Sequence, residues 1–184
     1  MRKKEKPYVF QNQLKTIHNI ESKINELIQT YGALKGGIPR ALFRVQIEPH
    51  TATLYNTDSI GKKKVHQGIK EGDYKFSQSD PFWIEASNYH GLSFSSTFNQ
   101  TRFTLDLLGR FQRNKTRINV AYWILEDSKC IPEDMAFIQD PNNPEHYLLV
   151  VTKRMSITTL VQKLTWISQR MSVLNGLRLE VYNP

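Results

Sequence analysis

The chain has 184 residues, a formal net charge of +8 and 39% hydrophobic residues, a composition that excludes a disordered chain and suits one folded domain. No apolar run approaches the roughly 18 residues of a membrane-spanning helix. No signal-peptide core follows the basic residues 2–6, which favours a cytoplasmic protein without membrane contact, with delivery into a target cell left open. Cys130 is the only cysteine, so an internal disulfide is excluded and a reducing compartment is the simplest site of action.

The first part of the chain is predicted as an arm, a helix and a strand. Residues 1–10 form a loose basic arm. Apolar residues recur at helical spacing over 11–31, and Gly32 lies where such a helix would end. Residues 42–47 alternate and favour a strand, whereas the polar residues 50–80 predict long loops with short strands and few core residues.

The second part of the chain supplies most of the predicted sheet. Alternation or β-rich composition predicts strands over 91–103, 120–125, 134–138, 146–151 and 177–182. Ser156 is placed to cap a helix that runs to about Leu174, where the Asn-Gly pair at 175–176 breaks it. The sum is one α+β domain over 11–184, whose core over 40–184 has about six strands of mixed direction and whose two ends each carry a helix.

Arg44 is the first candidate for a binding residue, because it lies inside an otherwise apolar strand. By alternation it shares a face with Leu42 and Gln46. One interpretation is an edge-strand arginine that faces water. The other is a cation whose planar fork binds phosphate or ribose oxygens.

Two further patterns carry polar groups that could line a cleft. Residues 93–101 hold five hydroxyls in nine residues, which fits either an exposed β face or a strand that contacts a ligand. His146 and Tyr147 begin a strand that is otherwise Leu and Val, which fits either ordinary packing or a site at the strand mouth. The carboxylates near these groups in sequence are Glu126, Glu133 and Glu145.

The positive charge is clustered. Lys62, Lys63, Lys64, His66 and Lys70 form one group, and Arg110, Arg113, Lys115 and Arg117 form another. They fit solvated loops, or an anionic partner such as nucleic acid, an acidic protein face or the pyrophosphate of a dinucleotide. The sequence has no zinc-finger or other metal-ligand spacing and no glycine-rich phosphate loop, so we expect no metal.

Three segments occur in one order and carry a resemblance. They are Leu42-Phe43-Arg44-Val45, residues 91–103 with Gln100-Thr101-Arg102-Phe103 at their end, and residues 131–155 with I-P-E-D-M-A-F-I-Q-D, a polar loop, H-Y-L-L-V-V and a Met-led helix. Together they resemble a type VI secretion toxin family whose fold looks like that of ADP-ribosyltransferases. The resemblance covers roughly residues 40–170, and its third segment is the most specific.

The resemblance implies a split mixed sheet with a cleft for NAD, which Arg44 would contact. It implies that Gln100 and Thr101 take the place of a Thr-Ser pair, so that the first hydroxyl of the family's pair is replaced here by an amide. It also implies that members act in the cytosol on a macromolecular acceptor and are often silenced by a small inhibitory partner protein.

The strand that begins near His146 departs from the better-known ADP-ribosyltransferases. They place E-x-E or Q-x-E at its start, and the last Glu stabilises the positive charge that develops on the ribose. Here Glu145 lies close to that place, His146 is implied as a cleft residue, and Tyr147 stands where the last Glu would be. A tyrosine cannot supply that charge at neutral pH.

We therefore expect an ADP-ribosyltransferase-like toxin or effector that acts as a transferase or as an NAD glycohydrolase. Ser95 and Thr101 would fix the nicotinamide ribose, with Tyr147 beside the cofactor and Glu145 or Glu133 aiding loss of nicotinamide. His146 would orient the sugar or deprotonate the acceptor. The alternatives are a basic, non-catalytic module that binds nucleic acid or protein, and an interaction protein whose cleft is inactive.

Overall fold

The computed structural model describes residues 39–47, 52–55, 65–97, 99–101 and 117–180, together with Ser22, Asn25, Glu26 and Gln29. The strands are β1 (Leu42–Ile47), β2 (Val65–His66), β3 (Ile69–Lys70), β4 (Trp83–Ile84), β5 (Gly91–Ser95), β6 (Arg117–Leu125), β7 (Met135–Asp140), β8 (Asn143–Val151), β9 (Met155–Ser156) and β10 (Met171–Glu180). The helix α1 spans Ile157–Ser168. Six strands form one sheet in the order β10-β6-β1-β5-β8-β7, and β2–β3 and β4–β9 form two small ribbons. The chain is thus of the α+β class, as the sequence predicts.

The pairings in the six-stranded sheet are antiparallel, which corrects the expectation of mixed strand direction. The β7–β8 connection is a tight turn of two residues, and such a turn can join only antiparallel strands. β1 pairs with β6 along its whole length but with β5 at one registered pair, Phe43 and Ser95. Beyond that pair the sheet opens between β1 and β5.

Alternation gives the sheet two faces. One face, called here the core face, carries Leu42, Trp123, Phe94, Tyr147 and Leu149, which belong to one buried cluster. The helix α1 packs on this face with a single apolar stripe, formed by Ile157, Leu160, Leu164 and Ile167. The residues on the opposite face are also buried at its centre: Phe43, Val45, Tyr122, Ile124 and Val150 are at most 3% exposed.

The helix α1 begins where the sequence predicts and ends earlier. The Ser156 hydroxyl accepts a hydrogen bond from the Thr159 amide (3.1 Å) and so caps the first turn. The helix ends at Ser168, and the prediction that it runs to about Leu174 is wrong. Residues from Met171 onward pair with β6 instead, because Met171 and Val173 alternate onto the core face opposite buried β6 residues. The Asn-Gly pair at 175–176 lies within a register shift of β10 and not at a helix end.

The polar stretch 50–80 contributes more to the core than its composition predicts. In its described part, β2 and β3 form a hairpin whose turn residues Gln67 and Gly68 both have positive φ, as a two-residue turn requires. Leu54, Ile69 and Tyr74 are each at most 3% exposed, which corrects the expectation of few core residues here.

Other predictions fall partly or wholly on residues that are not described. Ser22, Asn25, Glu26 and Gln29 are helical and exposed, and the rest of the predicted helix 11–31 lies outside the described residues. So do the arm 1–10, the lysines 62–64 and Arg110, Arg113 and Lys115. Among the described residues, no helix is both long and apolar enough to cross a membrane.

Candidate functional site

Polar side chains gather where β5 ends and β8 begins. Ser95 and His146 are register partners of these strands, so their side chains lie on the same face with Cβ atoms about 5 Å apart. At the same end, Asn143 Nδ2 donates to Gln100 Oε1 (2.8 Å), and Asn143 Oδ1 accepts from the Glu145 amide (3.0 Å). The structure therefore brings together Ser95, Gln100, Glu145 and His146, four of the residues that the sequence proposes.

His146 is held by a carboxylate that was not among the predicted site residues. Its Nδ1 lies 2.9 Å from Asp140 Oδ2, and the Asn142 amide donates to Asp140 Oδ1 (2.9 Å). The hydrogen bond with His146, followed by that from the Asn142 amide, lowers the pKa of Asp140. An ionised carboxylate only accepts hydrogen bonds, so Nδ1 carries a proton and Nε2 is the ring nitrogen left to accept one.

The turn between β7 and β8 explains why Asp140 meets His146. The turn reads Asp140-Pro141-Asn142-Asn143, and proline is favoured at the second position of a tight turn with aspartate before it. The Asp140 side chain accepts from an amide of this turn while also reaching the imidazole six residues later. We call Ser95, Gln100, Asp140, Asn143, Glu145 and His146 the β5–β8 cluster.

Thr101 and Tyr147 are predicted site residues that the structure places inside the protein. Thr101 is 0% exposed, and its hydroxyl donates to the Thr97 carbonyl (2.8 Å). Tyr147 is 4% exposed on the core face, its hydroxyl accepts from Gln139 Nε2 (3.1 Å), and burial raises its pKa. Both hydroxyls are engaged by the protein itself.

The two remaining carboxylates lie away from the cluster. Glu133 precedes β7 at the end where Met135 pairs with Val151, whereas Asp140 closes the other end of this strand. A strand of this length spans roughly 17–20 Å. Glu126 follows β6 and its Oε1 accepts from the Ser172 hydroxyl (2.9 Å). Asp140 is therefore the carboxylate beside His146. Glu145 takes part through its backbone amide, and by alternation its side chain lies on the face of Tyr147.

Arg44 lies where the sheet opens. If the β1–β5 ladder continued beyond Phe43 and Ser95, Val45 would stand opposite Ser93. Instead, Arg44 Nη1 donates to the Ser93 carbonyl (2.9 Å). Backbone carbonyls of a strand point along the sheet toward the neighbouring strand. The guanidinium therefore lies in the opening between β1 and β5.

Arg44 is half-buried, and buried side chains lie beside it. Burial lowers the pKa of Arg44, and the charge of Asp73 opposes that shift. Burial likewise raises the pKa of Tyr74 far above its usual value, so its phenol stays neutral. Among the described residues, neither the Tyr74 hydroxyl nor Trp123 Nε1 has a hydrogen-bond partner, although both atoms are buried. Trp123 is the register partner of Arg44 on β6.

Arg44 and His146 do not share a surface. Arg44 is on the core face with Leu42, whereas Ser95 and His146 are on the face of Phe43. β1 is a central strand, so the interpretation of Arg44 as an edge-strand residue facing water is wrong.

Four residues beside the predicted site residues were not themselves predicted from the sequence, and only two of them lie in a recognisable sequence pattern. Asp140 and Asn143 belong to a recognisable turn just before His146, and that turn was a usable signal. Asp73 and Tyr74 lie in the polar stretch 50–80, where no periodicity pointed to them.

Comparisons of the chain with protein-family models, with curated proteins and with solved structures returned no match.

Proposed function

We propose that this chain is an ADP-ribosyltransferase-like effector that binds NAD and either transfers ADP-ribose to a cytosolic target or hydrolyses NAD. The observation that carries the proposal is the His146–Asp140 pair (2.9 Å) beside Ser95, at the end of β5 where the sheet begins to open. A carboxylate-oriented imidazole next to a hydroxyl is an arrangement suited to proton transfer.

The strand arrangement supports this proposal. The resemblance assigns NAD contacts to the strand of Arg44, to the hydroxyl-rich strand and to the strand of His146. These are β1, β5 and β8, which are neighbours in the sheet. The resemblance also implies a split sheet, and the single registered pair between β1 and β5 is consistent with one.

The β5–β8 cluster can supply the groups that the reaction needs. Departure of nicotinamide leaves positive charge on the ribose, and a nearby carboxylate would stabilise it. Tyr147 cannot, because it is neutral and buried, so we assign this role to Asp140, the carboxylate beside His146. His146 Nε2 would accept the proton of the acceptor hydroxyl or of water, and Ser95 would hydrogen-bond the ribose.

Arg44 would contribute positive charge at the opening between β1 and β5. Part of its surface remains accessible, so an anion can approach it. A half-buried guanidinium attracts a pyrophosphate more strongly than a fully solvated one does. In this proposal Arg44 contacts the pyrophosphate from the opening, while the cluster contacts the ribose from the opposite face.

The test uses NAD labelled separately on the adenylate and on the nicotinamide, incubated with the protein in the presence and absence of cell lysate. We expect nicotinamide release, with adenylate moved to a macromolecule for a transferase and left soluble for a glycohydrolase. His146→Ala should lower turnover about 10²-fold or more while NAD still binds. Arg44→Ala should weaken NAD binding about tenfold or more, and Arg44→Lys should weaken it less.

Arg170→Ala is the matched control, because Arg170 is an exposed arginine stacked on Trp166 (3.4 Å to the ring centroid) and belongs to neither part of the site. It should leave both binding and turnover unchanged. Thermal melts establish that each variant is folded. Absence of NAD binding by the folded wild-type protein would refute the proposal, and so would turnover that is indifferent to His146→Ala.

A further inference from the structure

Three large aromatic side chains are exposed within eight residues of sequence. Phe82 is 56% exposed, Trp83 36% and Tyr89 82%. They are the large hydrophobic residues that the described part of the chain leaves exposed. A group of exposed aromatic rings is typical of a binding surface, because apolar area that stays in water contributes none of the stabilisation that its burial would give.

Hydrogen bonds fix the backbone that carries these rings. Trp83 on β4 pairs with Ser156 on β9, and the Ile157 amide donates to the Phe82 carbonyl (2.9 Å). The loop that carries Tyr89 is fixed in the same way, because the Ser87 amide donates to the Val151 carbonyl (3.0 Å).

Both loops are therefore tied to residues 151–157, a segment that spans at most about 20 Å. A partner would meet aromatic rings whose backbone is already ordered, which lowers the entropic cost of binding.

Cations are interleaved with the rings. The Arg154 guanidinium lies 4.5 Å from the centroid of the Trp83 ring, and Lys153 beside it is exposed. Two carboxylates lie beside them: Arg154 Nε donates to Glu85 Oε1 (3.2 Å), and Asp80 Oδ1 accepts from the Phe82 amide (2.9 Å). The net charge of the whole chain is +8. We call Phe82, Trp83, Tyr89, Lys153 and Arg154 the aromatic patch.

We propose that the aromatic patch binds single-stranded nucleic acid. Unpaired bases stack on exposed aromatic rings, and lysine or arginine between the rings neutralises the phosphates. A polyanion is also the partner that a chain of this net charge attracts most strongly at long range. Duplex DNA offers the same phosphates but no free base faces, so the rings favour the single strand. This inference is independent of NAD binding.

The experiment measures fluorescence anisotropy of a labelled oligo(dT) of about 20 nucleotides at salt concentrations from about 50 to about 200 mM. We expect Trp83→Ala and Tyr89→Ala each to weaken binding about tenfold. Tyr89 is 82% exposed, so its replacement leaves the fold intact and gives the cleaner result. Arg170→Ala is the matched control, because Arg170 also stacks on a tryptophan but lies beyond the other end of α1, about 18 Å away.

Substitution of Glu85 should change the binding affinity in the opposite direction. Glu85→Gln removes the carboxylate that neutralises Arg154, so it should tighten binding and steepen the salt dependence. Arg154→Ala should weaken binding and reduce the slope of log affinity against log salt by about 0.7, the value for one phosphate contact on a single strand.

Several results would overturn the proposal. They are absence of binding at about 50 mM salt, equal affinity for a duplex of the same length, and binding that is unchanged in both Trp83→Ala and Tyr89→Ala. Binding of poly-glutamate as tight as that of oligo(dT) would also overturn it, because it would identify an acidic protein surface as the occupant.

Discussion

Replacing Tyr74 with phenylalanine should stabilise the protein. The Tyr74 residue is 2% exposed, and its buried hydroxyl has no hydrogen-bond partner among the described residues. A buried polar group without a partner costs about 1–3 kcal/mol of desolvation that folding does not return. Phenylalanine removes that cost and keeps the ring, which packs in the core cluster with Leu42 and Ile69.

The expected gain is somewhat smaller than the desolvation cost. Loss of the oxygen removes a few dispersion contacts of about 0.1–0.2 kcal/mol each. We therefore expect Tyr74→Phe to raise the free energy of unfolding by about 0.5–2 kcal/mol. For a chain of this size that corresponds to an increase in Tm of about 1–8 °C.

Urea titration and calorimetry of wild type and variant measure the change. Tyr89→Phe is the matched control: it removes the same atom from a ring that is 82% exposed, so the free energy of unfolding should stay within about 0.5 kcal/mol of wild type. A loss of stability of about 1 kcal/mol in Tyr74→Phe would refute the reasoning. It would mean that the hydroxyl makes a hydrogen bond, for example to a buried water.

Four further predictions concern the cluster, the sheet and the cap of α1. Asp140→Asn should lower turnover in the NAD assay with little change in NAD affinity, because an amide no longer fixes His146 with its proton on Nδ1. Because the pKa of Asp140 is lowered, its ionised carboxylate stabilises the fold above about pH 4. This stabilisation is lost as the pH falls through the lowered pKa, so the urea midpoints of wild type and Asp140→Asn should converge in acid. Gly91→Ala should destabilise by about 2 kcal/mol or more, since a Cβ would lie 2.5 Å from the Leu149 carbonyl oxygen, and a melt with an unchanged midpoint would contradict this. Ser156→Ala should cost about 1 kcal/mol through loss of the α1 cap, measured by urea titration, and no loss would show that the cap is unimportant.

The sequence predicts part of the candidate site. Ser95, Gln100, Glu145 and His146 were proposed, and the structure gathers them at one end of β5 and β8. Ser95, Glu145 and His146 lie in strands near their ends, which alternation and turn signals locate. Gln100 lies in the helical residues 99–101, so the prediction of a strand over 91–103 is wrong beyond Ser95. Asp140 was missed, although the turn that carries it was part of the motif.

Hydrogen bonds within the protein separate the other proposed residues from the cluster, since Ser95 of the cluster is itself buried (5% exposed). Thr101 and Tyr147 carry the same kinds of polar group as the cluster, yet both are buried and bonded within the protein. Whether a hydroxyl at a strand faces a ligand or the core depends on strand register, and a shift of one residue reverses it.

The sequence by itself determined the local elements. Alternation over 42–47 and 146–151 located two central strands, and Ser156 located the start of α1. These features depend on interactions between residues close in the chain, namely side-chain periodicity and a cap three residues away. A pattern in sequence therefore suffices to specify them.

Only the tertiary structure decided the strand order, the opening between β1 and β5, and the end of α1 at Ser168. Each depends on contacts between residues far apart in sequence. Arg44 meets the Ser93 carbonyl 49 residues later, and Met171 joins β6 because Leu125 is there to pair with it. Such pairings compete with local propensity and override it, so no window of the sequence contains them.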